Sequence, residues 1–224
     1  MTPRRAGTTK PIRLSRVINP TDRAPARLVV LASGTGSLLR ALIAATTDAG
    51  YPAEVVAVGV DRTCAATGHA DAAGVPWFTV APGDYARRAD WDRALTAAVR
   101  GYHPDLVVTA GFMRLLGPAF LGEYQGRIVN SHPALLPSFP GAHGVADALA
   151  YGVKITGATV HLVDEGVDTG PILAQEAVPV HPDDDEATLH ERIKVVERRL
   201  LADVVAAVVR HGVVSDGRKA RISW

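Results

Sequence analysis

A chain of 224 residues with 47% hydrophobic and 21% charged side chains is long enough to bury one good core. Its formal net charge of +1 supplies no bulk electrostatic drive toward nucleic acid or a membrane surface, and no apolar run reaches membrane-spanning length. The single cysteine, Cys64, excludes an internal disulfide and fits a reducing, cytoplasmic setting.

Residues 1–26 carry Arg4, Arg5, Lys10, Arg13, Arg16 and Arg23 among prolines and scattered apolar side chains. This reads as a flexible basic N-terminal extension, or as a start codon placed too early. Arg4-Arg5 invites a twin-arginine export reading, but no continuous apolar segment follows it. From 27 to 224 the pattern is that of one domain. The expected order is strand 27–32, helix 38–47, strand 54–60, short helix 66–73, strand 76–80, helix 88–100, strand 106–110, short helix 116–121 and strand 126–130. Helix 144–151, strands 155–163 and 171–180, and a last helix 186–210 follow. Alternating strands and helices predict an α/β fold, a doubly wound, mostly parallel sheet with an antiparallel C-terminal portion. The last two strands should be antiparallel because the loop between them has no room for a helix. In the last helix Leu189, Ile193, Val196, Leu200 and Val204 recur at helical spacing and read as a core face.

Three stretches carry chemistry. The first runs from Arg27 through the glycine-rich Ser33-Gly34-Thr35-Gly36-Ser37 into Leu38 and Leu39. A strand, a glycine loop and a helix start present free backbone N–H groups and a positive dipole end to an anion. A phosphate monoester over Gly36, Ser37 and Leu38 needs only these. A dinucleotide fingerprint would want a third glycine where Leu39 stands, but Asp61 at the end of the next strand keeps that reading open. So does a purely structural βα turn.

The second stretch is Asn130-Ser131-His132-Pro133, continuing through Leu135, Leu136, Pro137 and Pro140 to Gly141. Side chains two apart on an extended backbone point the same way, so Asn130 and His132 share a side. An amide donor and an imidazole suit a carbonyl that becomes an oxyanion. The alternative is a proline-rich turn with an incidental histidine. The third stretch, from Gly157 to Leu173, is two β-patterned runs around an acidic loop holding Asp164, Glu165 and Asp168. Thr159, His161 and Val163 share one strand face. Asp168, framed by Gly166 and Gly170, is the acid placed to orient His132 and favour its protonated form; otherwise these are solvated turn acids. The histidines lack the spacing of a metal site, and no metal is expected.

Taken in order, S-G-x-G-S, G-F-M-R-L-L, N-x-H-P-x-L-L-P, G-x-T-V-H-x-V and D-x-G-P-I resemble the folate-dependent formyltransferases, over roughly residues 27–210. Within them the chain is most similar to the branch that acts on glycinamide ribonucleotide in purine (IMP) biosynthesis. The resemblance implies a Rossmann-like fold, and formyl transfer from 10-formyltetrahydrofolate as co-substrate to the ribonucleotide amine. It implies Asn130, His132 and Asp168 as catalytic residues, and Gly36, Ser37, Leu38 and Glu197 at the ribonucleotide. Arg88, Met113, Arg114, Leu115, Leu116, Asp164 and Glu165 fall at the folate, and His143 near the substrate. The family often has Asn where this chain has Leu38, which keeps a backbone contact and removes a side-chain one. The partners implied are these small molecules, with neither nucleic acid nor membrane; a homodimer stays open.

Relatives differ by added domains for which this chain has no room, and the formyltetrahydrofolate hydrolases have a second histidine where Pro133 stands. Hydrolysis of formyltetrahydrofolate, a dinucleotide-dependent oxidoreductase and a non-catalytic folate or nucleotide sensor are the readings left to separate.

Overall fold

The computed structural model describes residues 12–14 and 25–222. Strands are β1 (Ile12–Leu14), β2 (Ala26–Ala32), β3 (Ala53–Val60), β4 (Trp77–Thr79), β5 (Leu106–Thr109), β6 (Ile128–His132), β7 (Ile155–Leu162), β8 (Ile172–Pro179), β9 (Val213–Asp216) and β10 (Lys219–Ile222). Helices are α1 (Ser37–Thr46), α2 (Ala66–Ala72), α3 (Arg88–Arg100), α4 (Pro118–Glu123), α5 (Gly144–Tyr151) and α6 (Glu186–His211). Among the described residues the strands form one sheet in the order β1-β9-β10-β8-β7-β6-β5-β2-β3-β4. The pairs from β4 to β6 are parallel; β6–β7 and β7–β8 are antiparallel, as expected for the C-terminal portion.

The central strands are apolar throughout because helices cover both faces. Along β2, Leu28, Val30 and Ala32 enter the core beneath α1 and α6, whereas Val29 and Leu31 enter the one beneath α3 and α4. On the α6 face Leu189, Ile193 and Val204 are buried, as their spacing predicts, but Val196 and Leu200 are only partly so. The sheet order reverses at β2: the chain moves outward through β3 and β4, then returns to β5 on the other side. Loops leaving β2 and β5 therefore diverge, and a crevice opens at the strands' carboxyl ends.

Two expectations change. β6 runs to His132, so Asn130 and His132 lie within a strand, their backbones paired with His161 and Thr159 of β7. The predicted end at 130 was too early because the partner strand, not local propensity, sets the length. Three strands were not anticipated: β9 and β10 form a hairpin after α6, and β1 adds antiparallel to β9. Ile12–Leu14 thus leaves the expected flexible extension and joins the sheet; the rest of residues 1–24 lies outside the described residues. No helix among the described residues is long and apolar enough to cross a membrane.

Candidate active site

A cleft of about 500 Å³ lies at the reversal point. One end is the glycine loop. Gly36 has φ 72°, and a Cβ there would sit 2.8 Å from the Ala66 Cα, so α2 packs directly on the turn. Only glycine meets both demands. The first helical bond runs from Arg40 N–H to Gly36 O, and Gly36 offers no side-chain cap. The N–H groups of Ser37, Leu38 and Leu39 are thus free of intrahelical partners at a positive dipole end. The Leu38 side chain is buried in the core, so its contribution to an anion is its backbone.

The floor is built by β6, β7 and the loop before β8. The Asn130 amide oxygen accepts from Thr109 Oγ1 (2.7 Å), which orients the amide. His161 Nδ1 lies 2.8 Å from the Leu162 carbonyl and must carry a proton there, leaving Nε2 to accept from Asn130 Nδ2 at 3.1 Å. One Asn130 N–H is then left for a ligand. His132 is 4% exposed. Its Nε2 lies 2.8 Å from the Phe139 carbonyl, which can only accept, so Nε2 is the protonated nitrogen. Nδ1 faces Asp168 Oδ2 at 3.3 Å.

Asp168 adopts φ 51°, a left-handed conformation aspartate tolerates, and accepts from the Gly141 N–H at 2.7 Å. Gly170 makes the hairpin possible: a Cβ there would stand 1.7 Å from the Leu162 carbonyl oxygen. Asp168 Oδ1 lies 3.6 Å from His161 Nε2. Burial raises the Asp168 carboxyl, but His161, the Gly141 N–H and His132 outweigh it, and its pKa falls below the ordinary value. For His132 the balance goes the other way: burial lowers its pKa more than Asp168 and the Phe139 carbonyl raise it. Asp168 thus favours the protonated form, as expected, but burial outweighs it. Desolvation wins, and in the free site His132 is predominantly neutral at neutral pH.

Glu197 of α6 is 3% exposed at the cleft and accepts from Ser131 Oγ at 2.8 Å. Burial pushes its carboxyl up to about 7, against the pull of Ser131, Lys194 and Arg198. A carboxyl raised on folding loses stability as pH climbs from its ordinary value to its folded one. Glu197→Gln keeps the Ser131 acceptor and removes that loss. The difference in Tm between variant and wild type is expected to grow by a few degrees in the variant's favour from pH 5 to pH 8. A constant offset in thermal scans would mean that Glu197 does not ionise in this window.

The other wall is the Phe112–Leu116 segment, where Met113 is 55% and Leu115 63% exposed. Arg88 is not part of it. Its Nη2 donates to the Leu115 carbonyl, and its guanidinium lies 4.2 Å from the Trp91 ring centroid, so it supports the wall from α3. His143 is exposed beyond the lining, at the start of α5. Asp164 and Glu165 do line the cleft, and Asp164 Oδ1 takes the Thr169 hydroxyl at 2.6 Å, shaping the loop. Asp61, the acid a dinucleotide ribose would need, is 2% exposed and bound by Arg114 Nε at 2.6 Å. Among the described residues no group of three or more His, Cys, Asp or Glu has the geometry of a metal site.

Sequence reasoning missed His161 and Thr109 as site residues. Their signal is cross-strand: His161 pairs with Asn130, and Thr109 with Asn130 on the other side.

The formyl transferase family matches residues 26–205 of this chain, across the whole cleft. The chain belongs to the formyl transferase family. A phosphoribosylglycinamide formyltransferase of Mycobacterium tuberculosis is 68% identical over 198 residues, 88% of this chain and 91% of that protein. One from Bacillus subtilis is 36% identical, over 87% of this chain and 99% of its own. The crystal structure of glycinamide ribonucleotide transformylase 1 from Symbiobacterium toebii superposes with a TM-score of 0.88 at 37% identity, covering 93% of this chain and 99% of that one. In this formyl transferase the family's motifs thus meet in one cleft from five separate segments.

Proposed function

We propose that this formyl transferase moves the formyl group of 10-formyltetrahydrofolate to the amine of glycinamide ribonucleotide, in the cytoplasm, as a step of purine synthesis. The observation that carries this reading is one cleft with two chemically different ends. A helix N-terminus suited to a phosphate stands at one, an apolar wall suited to a pterin at the other, and an amide–imidazole–carboxylate cluster lies between them.

The phosphate sits on the N–H groups of Gly36, Ser37 and Leu38, with Glu197 toward the ribonucleotide amide. The folate lies on Met113, Arg114, Leu115 and Leu116, against Asp164 and Glu165, and Arg88 holds that wall from behind. Bound side by side, the free amine attacks the formyl carbon, and proximity supplies much of the acceleration. The carbonyl oxygen becomes an oxyanion and takes the N–H of Asn130 that His161 leaves free. The amine must shed a proton and N10 must gain one. His132 Nδ1, neutral in the free site and 3.3 Å from Asp168 Oδ2, can accept it, directly or through water held on Asp168 Oδ1. His132 becomes an imidazolium whose charge stabilises the oxyanion. The tetrahedral species then collapses, N10 leaves with the proton, and His132 returns to neutral.

Cofactor conversion measured with and without glycinamide ribonucleotide tests the reading. Turnover is expected only when the amine is present. Equal turnover without it would assign hydrolysis, and none with either would leave a binding protein.

A second expectation concerns the glycine loop. Gly36→Val puts a β-branched side chain at a positive φ and against Ala66, which tilts the anion-binding N–H groups. The ribonucleotide KM should rise by about tenfold or more, taking the loss of one or two charge-assisted bonds, while folate binding by titration stays near normal. Equal loss of both ligands, with a collapsed far-UV spectrum, would make Gly36 a requirement of folding only.

A further inference from the structure

The loop from β6 to α5 supplies one contact to each member of the His132–Asp168 pair. The Phe139 carbonyl lies 2.8 Å from His132 Nε2, and the Gly141 N–H donates to Asp168 Oδ2 at 2.7 Å. Between β6 and α5 this loop has no strand or helix of its own. Phe139 holds φ 55°, a left-handed conformation that a bulky residue keeps only where its surroundings enforce it. Its ring packs edge-on against Tyr151 of α5. Its backbone is held from elsewhere.

The hold comes from β7 and β8. Thr159 of β7 is 0% exposed and pairs with His132 across the β6–β7 strands. Its hydroxyl donates to the Ala134 carbonyl at 2.7 Å and accepts from the Leu136 N–H at 3.1 Å. Gln175 of β8 pairs with Thr159 across the next two strands. Its Nε2 donates to the Leu136 carbonyl at 2.7 Å and to Thr159 Oγ1 at 2.9 Å. A hydroxyl has one proton to give and two lone pairs to fill, and at Thr159 all three are used. The two N–H groups of the Gln175 amide are used as well. Neither side chain lines the cleft, and Gln175 is an exposed residue one strand farther from His132.

We propose that Gln175 and Thr159 are positioning residues for proton transfer, because by clamping Ala134 and Leu136 they hold the loop that gives His132 its acceptor and Asp168 its donor. The span from Leu136 to Phe139 is short and stiff. Pro137 fixes φ at its start, and the Ser138 N–H closes onto the Leu135 carbonyl at 3.0 Å. A shift at Leu136 is therefore passed on to Phe139. With the Phe139 carbonyl in place, the imidazole proton stays on Nε2 and Nδ1 is free to accept. With the carbonyl displaced, the proton is drawn to Nδ1, where Asp168 Oδ2 stands 3.3 Å away, and the base is blocked. The reaction this pair serves rests on the assignment above; the clamp rests on these hydrogen bonds.

Gln175→Leu in the full-length protein removes both donors and keeps the size, at an exposed position outside the core. Two observables report on it: the ring-nitrogen chemical shifts of His132 and hydrogen exchange at three amides. Leu136 and Gly141 report the two ends of the loop. Val180, whose N–H donates to the Lys154 carbonyl at 3.0 Å, lies just past the far end of the same strand pair and serves as the control. Protection at Leu136 and Gly141 is expected to fall by about tenfold, the size of a lost hydrogen bond, with Val180 unchanged. The two His132 nitrogen shifts should move toward one another as the Nδ1–H form appears. In the formyl-transfer assay kcat should fall by about tenfold, with the KM of each substrate changed far less. Thr159→Val should act in the same direction, and Thr159→Ser, which keeps the hydroxyl, should restore all three readouts. If Thr159→Val fails to fold, Gln175→Leu decides.

Unmoved His132 shifts, or equal loss of protection at Val180, would overturn the positioning role. So would a Gln175→Leu protein in which KM rises and kcat holds, or a Thr159→Ser protein as impaired as Thr159→Val. Moved His132 shifts in a protein whose wild type transfers no formyl group would instead count against the assigned reaction, and leave the clamp on His132 standing.

Discussion

Asn130→Ala and His132→Ala are each expected to lower kcat for formyl transfer by about a hundredfold or more, with the fold retained and the substrate KM values changed much less. The reason is specific to each residue. Asn130 offers the cleft one N–H whose direction is fixed from two sides, by the Thr109 hydroxyl on its oxygen and by His161 Nε2 on its other N–H. Removing it takes away a donor that is already aimed, so the transition state loses a hydrogen bond that costs no reorganisation. His132 is a neutral base 3.3 Å from the Asp168 carboxylate, and without it the attacking amine loses the group assigned to take its proton. Alanine at 132 also leaves a void against Gly144, whose Cβ position lies 3.1 Å from His132 Nε2. A lowered Tm is therefore expected for that variant and has to be separated from activity by assaying well below it. Steady-state kinetics on the purified variants decides. Near-normal kcat in either one would remove that residue from the oxyanion and proton-transfer roles.

Asp168→Asn is the second large effect, on the order of a hundredfold in turnover at neutral pH, the size of a lost acid–base partner. Asparagine preserves shape, and its Oδ1 can still accept the Gly141 N–H that Asp168 accepts at 2.7 Å. That oxygen also faces His132 Nδ1, now without its charge, and the amide N–H takes the place of the Asp168 Oδ1 toward His161 Nε2. The sign follows from the competing influences on His132. Burial already pulls its pKa below the ordinary value, and Asp168 is the largest influence pushing it back up. Without the carboxylate the histidine must titrate at still lower pH. The limb of the pH–rate profile that follows His132 moves the same way, because protonating it during the reaction becomes harder. Histidine resonances followed by NMR across the same range report the shift directly. An unmoved His132 titration together with full activity would take Asp168 out of the mechanism and leave proton transfer to water or Glu165.

His161 gives these two predictions a common control. It touches both partners, Asn130 at 3.1 Å and Asp168 at 3.6 Å, and is 1% exposed. Changes at Asn130 and Asp168 are thus not independent, and their combined effect should be smaller than the product of the single effects.

The sequence by itself determined the α/β class, the phosphate loop and the pairing of Asn130 with His132. Each of these is a local property. Two glycines between an apolar strand and a helical repeat restrict the backbone to a tight turn, and two side chains at spacing two on a strand must share a side. The motif set in its order also carried the family, because it samples five separate segments. What only the tertiary structure decided depends on contacts between residues far apart in the chain. His161 enters the site because β7 pairs antiparallel with β6, and nothing near His161 in sequence specifies that partner. The resemblance implies Arg88 at the folate, and only the tertiary structure shows its Nη2 donating to the carbonyl of Leu115, 27 residues away. The proton state of His132 came out opposite to the simple carboxylate–imidazole rule because burial, a property of the whole fold, outweighs one neighbouring charge. Strands β9, β10 and β1 were missed for the same reason. Such short segments are held by the edges they complete, and their own sequence supplies little preference.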